Sequence, residues 1–480
     1  MTEVRPKRSA RELLRDLAAL VLGEGVAKLA GFAAFAYLAR TLSAENYGGV
    51  ELASAITMLG FLVVDFGFAP IGARELARDP TSARWLAAAI PTLRLVLALA
   101  SIASIWLGSL FLDQPEETRS LVRVFGLSLI AAPWALNWLF QGLGRMFVVA
   151  TAQALRMLAF ALAVYAFVSS ETPLWRVGVA EIASTTLLAF YFLAMQSRSV
   201  GSPQLNGDKA RLASLLRDAA PVGFSRILWA LSQYAATVII AAFAPASELA
   251  WYGAAHRLAI ALGAFVQLYH FNLFPALVEA SRAGAGRLRA LVDPLYRASA
   301  WLGALGGLFG VLFAAPLCAL LYGAPFARSG EVFAWLVWML PISLVGAHAR
   351  YVLLAVGQQR AELAANAVGA AVAVVAGFAL VPAFGTSGGA IALVAGTLAT
   401  SVAAHALAAR SEISLPGIAP LVRPALACAL FGFAAQALPL ENELARGAIA
   451  VAGLALAAPL IDPALRRDLQ RLARRRGAER

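Results

Sequence analysis

Apolar residues run in long windows along nearly the whole chain, and short polar segments separate the windows. A window of about 20 apolar residues is long enough to cross a bilayer as an α-helix. The period-two alternation of a membrane β-barrel is absent, and a helix satisfies its own backbone hydrogen bonds in lipid. The pattern therefore predicts an all-α polytopic membrane protein with about fourteen transmembrane helices. They are predicted at residues 17–40, 48–72, 85–112, 121–141, 147–168, 173–196, 213–243, 249–275, 295–322, 331–356, 359–382, 386–409, 418–437 and 444–461.

Composition agrees with a chain that lies mostly in the membrane. Of its 480 residues, 61% are hydrophobic and 14% are charged, whereas about 25% are charged in a soluble domain. Little mass is left for soluble domains. The net charge of +12 indicates loops beside anionic lipid rather than a nucleic-acid partner.

Several kinds of chemistry find no support in the sequence. Cys318 and Cys428 both lie in apolar runs and indicate neither a disulfide framework nor a metal site. The four His residues show no ligand spacing, so no metal is expected. The phosphate-binding loop of ATPases is missing, so ATP hydrolysis and a cofactor are not expected either.

The basic residues predict the orientation. Most of the 39 Lys and Arg residues fall before the first helix, in every second loop and in the tail. By the positive-inside rule, both termini are cytoplasmic and the helix number is even. The predicted organisation is a basic N-terminus (1–16), an N-terminal lobe (17–196), a cytoplasmic linker (197–212), a C-terminal lobe with extra helices (213–461) and a basic tail (462–480).

Two short echoes indicate related halves. ARTLSAENYGGVELA after the first helix is similar to AFAPASELAWYGAAHRLA after the seventh, and FQGLGRM around Arg145 is similar to LAVGQQRA around Arg360. Repeated halves are common in transporters, with the substrate site between them. The membrane domain is therefore predicted to consist of two pseudo-repeated lobes.

Six basic residues lie within predicted spans. They are Lys28, Arg94, Arg156, Arg226, Arg257 and Arg350. A charge at the bilayer centre costs about 2.5–3.5 kcal/mol even on lenient scales. Lys28, Arg226 and Arg257 are the furthest from the helix ends, so snorkelling is hardest for them and a functional role is favoured. For Arg94 and Arg156, a structural ion pair and a functional role remain equally open, and Arg350 is close enough to a helix end to snorkel.

Acidic and polar residues offer partners for these charges. Glu24 and Lys28 are one helical turn apart and can pair. Asp65 can pair with Arg74 or Arg78. The seventh helix carries a polar stripe that faces a cavity or another helix rather than lipid. The stripe consists of Arg226, Trp229, Gln233 and Thr237.

A cationic set buried in a membrane needs an anion that passes through or dwells there. Phosphate and pyrophosphate fit best, because Arg and Lys offer them charge-assisted hydrogen bonds. The predicted substrate-binding cations are Lys28, Arg94, Arg156, Arg226 and Arg257, and the predicted polar or pairing residues are Glu24, Asp65, Trp229 and Gln233.

Several stretches resemble the polysaccharide (O-antigen type) flippases of the multidrug/oligosaccharidyl-lipid/polysaccharide exporter superfamily. They are LARTLSAENYG, DFGFAPIGARELAR, LNWLFQGLGRMFVVATAQALRML, PVGFSRILWALSQYAATVII and YGAAHRLA. The resemblance spans about residues 10 to 410. It implies a V-shaped pair of lobes that alternates access and moves a polyprenyl-pyrophosphate-linked glycan outward across a bacterial cytoplasmic membrane. In related lipid II flippases, arginines in the cavity matter for function, and Lys28, Arg226 and Arg257 lie on comparable helices.

Three functions remain open at this point. A flippase for a lipid-linked oligosaccharide is the leading one, driven by an ion gradient or by the membrane potential, with polymerase and glycosyltransferase machinery as possible partners. A cation-coupled drug exporter of the same superfamily would favour acidic cavity residues, whereas the deep charges here lean basic. A membrane glycan polymerase or ligase would need a sizeable outside loop with catalytic groups, which is absent, so the protein is not expected to be an enzyme.

Overall fold

The computed structural model describes the backbone of residues 10–204, 208–411, 413 and 415–478. Side chains are described for residues 23, 25–204, 208–411, 413 and 415–471. Helices make up most of this part of the chain, and it contains no β-strand. The predicted all-α class is confirmed.

Eighteen α-helices follow one another along the described chain. They are α1 (Ala10–Thr41), α2 (Ala44–Asp65), α3 (Phe68–Arg78), α4 (Ala83–Ser109), α5 (Glu116–Leu127), α6 (Asn137–Gly142), α7 (Met146–Phe167), α8 (Trp175–Ser199), α9 (Lys209–Phe243), α10 (Ala246–Arg282), α11 (Ala285–Leu312), α12 (Ala314–Tyr322), α13 (Ser329–Leu336), α14 (Met339–Ala355), α15 (Gln359–Arg410), α16 (Ala419–Ala437), α17 (Glu443–Ile461) and α18 (Pro463–Ala478). Short 3₁₀ segments lie at Pro80–Ser82, Ser128–Trp134 and Ala324–Phe326.

Within the described residues, twelve helical stretches are long and apolar enough to cross a membrane. One of them, α15, contains a break at Gly385, whose φ of 53° and ψ of −132° are not helical. This break lies where the sequence predicts a boundary between the helices at 359–382 and 386–409. The protein is a multi-pass membrane protein, and the count of fourteen spans stays a prediction.

Several predicted helices are interrupted where the sequence pattern predicts continuity. The helix expected over 48–72 breaks at Phe66 and Gly67, and the one expected over 121–141 contains a 3₁₀ segment. Pro133 lies in that 3₁₀ segment, and a proline removes a backbone N–H and disfavours the α-helix. The apolar pattern continues through each break, because lipid selects for apolar side chains and not for a straight backbone.

By packing, the chain divides into two compact units. Unit 1 is Met1–Ala230 with Pro245–Ala250, and unit 2 is Leu231–Ala244 with Trp251–Arg480. The predicted division of the chain into two lobes at the linker 197–212 stays a prediction.

One of the two sequence echoes has the same backbone geometry in both units. Gly144 and Gly357 both end a helix in the left-handed region, at φ 72° and 83°. The next residue's N–H donates to the carbonyl five residues earlier, at 2.7 Å for Arg145 and 2.8 Å for Gln358. This is the Schellman ending, in which glycine avoids the cost of a Cβ. Arg145 therefore corresponds to Gln358 rather than to Arg360.

The aromatic core of unit 1 surrounds α6. Trp138 and Phe140 are fully buried, and the Phe140 ring stacks on Phe192 at 5.7 Å. Gly72 on α3 lets the backbone approach Trp138, since a Cβ there would lie 2.7 Å from the indole. This packing fixes α3 and α6 in place directly beside the charged site described next.

Candidate anion-binding site

The site begins at the break between α2 and α3. Phe66 adopts φ 39° and ψ 34°, which is the left-handed region that non-glycine residues seldom enter, and Gly67 follows at φ 78°. The Phe66 N–H still donates to the Leu62 carbonyl. Asp65 is consequently the last helical residue of α2, placed at a break in the middle of an apolar stretch.

Helix α9 passes directly against this break. A Cβ on Gly67 would lie 2.6 Å from the Ala219 carbonyl oxygen, and a Cβ on Gly223 would lie 2.6 Å from the Phe66 carbonyl oxygen. Neither distance is compatible with a side chain, so the pair of glycines permits the close backbone approach. The rings of Phe66 and Phe224 add an edge contact at 5.4 Å. One turn further along α9 is Arg226.

Asp65 bridges two arginines from two other helices. Its Oδ1 accepts a hydrogen bond from Nη2 of Arg94 on α4, and its Oδ2 accepts one from Nη1 of Arg226 on α9. Asp65 is 4% exposed and Arg94 is 3% exposed. A carboxylate buried this deeply is tolerated only when it is paired. The Asp65 network, formed by Asp65, Arg94 and Arg226, ties α2, α4 and α9 together.

Arg94 also satisfies a backbone carbonyl. Its Nη1 donates to the Ala135 carbonyl oxygen at 3.2 Å. Ala135 directly follows the 3₁₀ segment and has a ψ of 80°, so it lies at a helix end. Carbonyls at helix ends have no partner within the helix. Arg94 thus links the Asp65 carboxylate to the break before α6, which is a structural role.

Arg226 is the accessible member of the network. Its side chain is 41% exposed, and only Nη1 is engaged by Asp65. The network holds two guanidinium groups and one carboxylate, so its net charge is +1. Arginine remains protonated at every physiological pH. The arrangement therefore presents a permanent positive charge with free hydrogen-bond donors, which is what binding an anionic group requires.

The predicted partners of Asp65 were wrong. Arg74 instead donates to Glu75 and to Asp218, both at 3.1 Å, and Arg78 lies 3.6 Å from Glu75. The chain turns at Phe66 and Gly67, so α3 no longer continues the direction of α2. Arg74 and Arg78 follow this turn, and their carboxylate partners are Glu75 and Asp218 rather than Asp65.

Arg156 on α7 forms an ion pair with Glu181 on α8, with Nη2 and Oε1 2.6 Å apart. Both side chains are partly exposed. The structure gives Arg156 the structural pairing that the sequence left open, and the pair is neutral as a whole. Its predicted contact with substrate stays a prediction.

Lys28 and Glu24 lie on α1. The Lys28 side chain is exposed, and it makes an interaction within the protein. The Glu24 side chain lies outside the described residues, so the predicted pair of Glu24 and Lys28 stays a prediction.

The other predicted residues lie on α9 and α10. Trp229 belongs to unit 1, whereas Gln233 and Thr237 belong to unit 2. Trp229 and Gln233 are half-buried and Thr237 is buried. Arg257 is half-buried on α10 in unit 2 and makes an interaction within the protein. The predicted roles of Arg257 and Lys28 in substrate binding stay predictions.

Comparison with solved structures identifies the class of fold. The lipid II flippase MurJ in an inward closed conformation matches with a TM-score of 0.74 at 11% identity, over 92% of this chain and 99% of that chain. An inward-facing MATE family transporter of the MOP superfamily matches with a TM-score of 0.67 at 14% identity, over 81% and 96%. A mutant of the Vibrio cholerae MATE transporter VcmN matches with a TM-score of 0.52 at 18% identity, over 84% and 96%.

The fold is therefore that of the MOP superfamily, the multidrug/oligosaccharidyl-lipid/polysaccharide exporters. Within it, the chain belongs to the family described as polysaccharide biosynthesis protein, whose sequence profile matches residues 13–281. A search of curated proteins finds no significant match. The predicted superfamily and family are confirmed.

Sequence reasoning identified the charged residues but missed how they join. Asp65, Arg94 and Arg226 are distant in sequence, and only the packing of α4 and α9 on the break brings them together. Two glycines offered a sequence signal for this packing. Gly67 and Gly223 lie where the two backbones approach each other closely, and a side chain at either position would not fit. The pair of Arg156 and Glu181 had a simpler signal, since both are deep charges on consecutive predicted helices.

Proposed function

We propose that the protein moves a polyprenyl-pyrophosphate-linked oligosaccharide from the inner to the outer leaflet of the cytoplasmic membrane, for assembly of a surface polysaccharide. Membership of the polysaccharide biosynthesis family and a fold shared with a lipid II flippase support this function. The single observation that carries it here is the Asp65 network. It holds one permanent, uncompensated positive charge inside an apolar helical unit.

The two arginines of the Asp65 network have different proposed roles: Arg94 holds the carboxylate in place, and Arg226 binds the substrate. Arg94 is buried and saturates Asp65 Oδ1 and the Ala135 carbonyl, so it holds the carboxylate in place. Asp65 Oδ2 in turn fixes the guanidinium of Arg226, which remains accessible. A pyrophosphate would accept hydrogen bonds from the nitrogens of Arg226 that Asp65 does not engage. Fixing the guanidinium in advance lowers the entropy lost on binding.

The remaining parts of the substrate need no charge. The polyprenyl chain is apolar and stays in lipid. Trp229, one turn beyond Arg226 on α9, supplies an aromatic surface for a sugar ring, and Gln233 follows as a hydrogen-bonding group. Lys28 on α1 and Arg257 on α10 are proposed as further cations for the pyrophosphate.

The proposal also covers the membrane in which the protein lies and the enzymes with which it works. The chain lies in the inner membrane of a bacterium, with both termini cytoplasmic, as its loop charges favour. It acts as a transporter without catalytic chemistry. The glycosyltransferases that build the lipid-linked glycan and the polymerase that consumes it are the proposed partner machinery.

A drug exporter is the second candidate, because MATE transporters share the fold. Binding a cationic drug would need an acidic group without a cationic partner. In unit 1, Asp65 and Glu181 are both paired with arginine, and the buried Glu51 on α2 also makes an interaction within the protein. The described charges therefore favour an anionic substrate.

Replacement of Arg226 tests the proposal in cells that make the polysaccharide. Arg226→Gln leaves Asp65 paired with Arg94, so the protein should keep its abundance while surface polysaccharide is lost. Arg226→Lys should recover only part of it, because lysine lacks the planar fork of donors. Arg257→Ala, by the same argument, should reduce export at normal abundance.

Arg74→Gln is the matched control. The Arg74 side chain is 43% exposed, close to the 41% of Arg226, and it forms ion pairs outside the Asp65 network. This variant should export normally. Normal polysaccharide at normal abundance in Arg226→Gln would remove Arg226 from the site. Drug sensitivity that rises in Arg226→Gln while polysaccharide is unchanged would favour the exporter.

A further inference from the structure

All four histidines of the chain belong to unit 2, and three of them, far apart in sequence, lie close together. His270 lies on α10, His348 on α14 and His405 on α15. His270 Nε2 is 3.4 Å from His348 Nδ1, and their ring centroids are 4.8 Å apart. Tyrosines from α10, α11 and α14 complete the histidine cluster, which consists of Tyr269, His270, Tyr296, His348, Tyr351 and His405.

The backbone fixes the hydrogen on each imidazole. His270 Nδ1 faces the Val266 carbonyl oxygen at 2.9 Å, and His405 Nδ1 faces the Ser401 carbonyl oxygen at 2.8 Å. His348 Nδ1 lies 3.2 Å from the Val345 carbonyl oxygen. A carbonyl oxygen only accepts, so all three rings carry their hydrogen on Nδ1. In a neutral ring that carries its hydrogen on Nδ1, Nε2 is an acceptor, and packing among apolar and uncharged groups favours neutral rings.

Each of these acceptors faces a donor. His270 Nε2 faces the Nδ1–H of His348 at 3.4 Å. His348 Nε2 faces the hydroxyl of Tyr269, and His405 Nε2 faces the hydroxyl of Tyr296, each at 3.4 Å. These contacts are longer than the usual 2.7–3.2 Å. The network is complete but weakly held at the Nε2 positions.

Two of the three rings can accept a proton without losing a partner. A tyrosine hydroxyl either donates or accepts. If His348 or His405 gains a proton on Nε2, the facing hydroxyl of Tyr269 or Tyr296 turns round and accepts it. His348 would still donate from Nδ1 to His270 Nε2, now as a charge-assisted bond. His270 itself cannot be first, because its Nε2–H would face another N–H.

The histidine cluster is buried at His270 and His348 and partly exposed at His405. His270 and His348 are fully buried, and Tyr296 is 2% exposed. The Tyr296 ring contacts both His348, at 5.7 Å, and His405, at 5.9 Å. His405 is half-buried and is therefore the histidine of the cluster that is most accessible to solvent.

Charged groups face the cluster from α14 and α15. Arg350 donates to Glu362 Oε1 at 2.7 Å, and Asn366 donates to the same oxygen at 2.7 Å. The pair of Arg350 and Glu362 is neutral, so no net negative charge is in place to stabilise an imidazolium. The titratable or charged groups facing the histidines are Tyr269 from α10, Tyr296 from α11, Arg350 and Tyr351 from α14, and Glu362 from α15.

We propose that the histidine cluster is a proton-binding site, and that proton binding loosens the packing of α14 against α10 and α11. A charge within dry, packed side chains is costly. Proton binding therefore favours a state in which the cluster opens and water reaches it. Use of this site to drive glycan export rests on the function proposed above.

Proton uptake by the purified, detergent-solubilised protein tests the site without any transport. Asparagine is the matched substitution, because it keeps the donor to the backbone carbonyl and removes the titrating nitrogen. Asn272, which lies on α10 like His270, already donates such a bond to the Leu268 carbonyl oxygen at 2.8 Å. The test variant combines His270→Asn, His348→Asn and His405→Asn.

The protein is taken from about pH 7.5 to about pH 4.5, a range that extends below the one in which histidine normally titrates because burial opposes the charged form. The wild-type protein should take up about one proton per molecule more than the triple variant. The fourth histidine supplies the control. His256 is buried against Tyr252, away from the cluster, and His256→Asn should take up as many protons as the wild type.

Equal uptake by the wild type and the triple variant would overturn the proposal. If the triple variant does not purify as a single species, the double variant His348→Asn with His405→Asn decides, since it removes both rings that face a tyrosine hydroxyl and should lose most of the difference. Hydrogen exchange in α14 gives the conformational readout. After correction for intrinsic rates, acid should speed exchange in the wild type and not in the variant. Equal exchange would contradict the loosening.

Neither measurement depends on the glycan. A protein that exports polysaccharide but fails both measurements would lose the proton site and keep its transport function. A protein that passes both but exports nothing would keep the proton site and lose the transport function.

Discussion

The Asp65 network in unit 1 is built from charged groups, whereas the histidine cluster in unit 2 is neutral as packed. In the first, one carboxylate holds two guanidinium groups. In the second, three contacts of 3.4 Å join an imidazole either to another imidazole or to a tyrosine hydroxyl. Both join helices that are distant in sequence, and both lie among apolar side chains.

The two networks differ in how their charge responds to pH. Arginine stays charged throughout the physiological range, so the charge on Arg226 is permanent. Histidine changes its charge within that range. A permanent cation suits a constant ligand such as a pyrophosphate, whereas a titrating group suits a step that must be reversed in each cycle.

The largest effect is expected at Asp65. Asp65→Asn leaves Arg94 charged and unpaired at a fully buried position, which costs about 3–5 kcal/mol. The amount of folded protein in the membrane should fall several-fold, as measured by quantitative immunoblotting and size-exclusion chromatography.

A second substitution shows whether Asp65→Asn acts by leaving Arg94 unpaired or by disturbing the packing. Asp65→Asn combined with Arg94→Met removes both buried charges, so it should restore much of the abundance that Asp65→Asn loses. Losses that simply add in the double variant would mean that the two residues do not interact energetically.

A smaller effect is expected at Arg156 and Glu181, because this pair is partly exposed to solvent. Glu181→Gln should lower the melting temperature of the purified protein more than the double change of Glu181→Gln with Arg156→Gln does. Equal melting temperatures for the single and the double variant would show that the ion pair is not stabilising.

The smallest effect is expected in the neutral network. Tyr296→Phe removes one hydrogen bond and keeps the ring, so it should destabilise the protein by about 0.5–1.5 kcal/mol. Its melting temperature should fall less than that of Asp65→Asn at any pH. A larger fall would contradict the contrast between the charged and the neutral network.

The sequence was sufficient for the all-α class, the superfamily and the identity of the deep charges. Helix positions such as α7 (Met146–Phe167) and α17 (Glu443–Ile461) lie within about two residues of their predicted bounds. Apolar length predicts these helices directly, because a lipid environment leaves the backbone few alternatives.

The pairing of charges could not be read in the same way. Asp65 was expected to pair with Arg74 or Arg78, just beyond the helix predicted over 48–72, but the left-handed turn at Phe66 and Gly67 redirects the chain. The histidine cluster had no local signal at all, since His270, His348 and His405 lie in three separate helices. Contacts of this kind depend on how helices pack, and sequence spacing within one helix does not report it.

The most direct test of the anionic site is binding of a polyprenyl pyrophosphate to the purified protein. The account predicts that Arg226→Gln weakens binding by about tenfold or more, the loss expected for a charge-assisted hydrogen bond. Arg74→Gln should bind like the wild type, and the uncharged polyprenol should bind both equally weakly. Equal affinity of Arg226→Gln and the wild-type protein for the pyrophosphate would contradict the account.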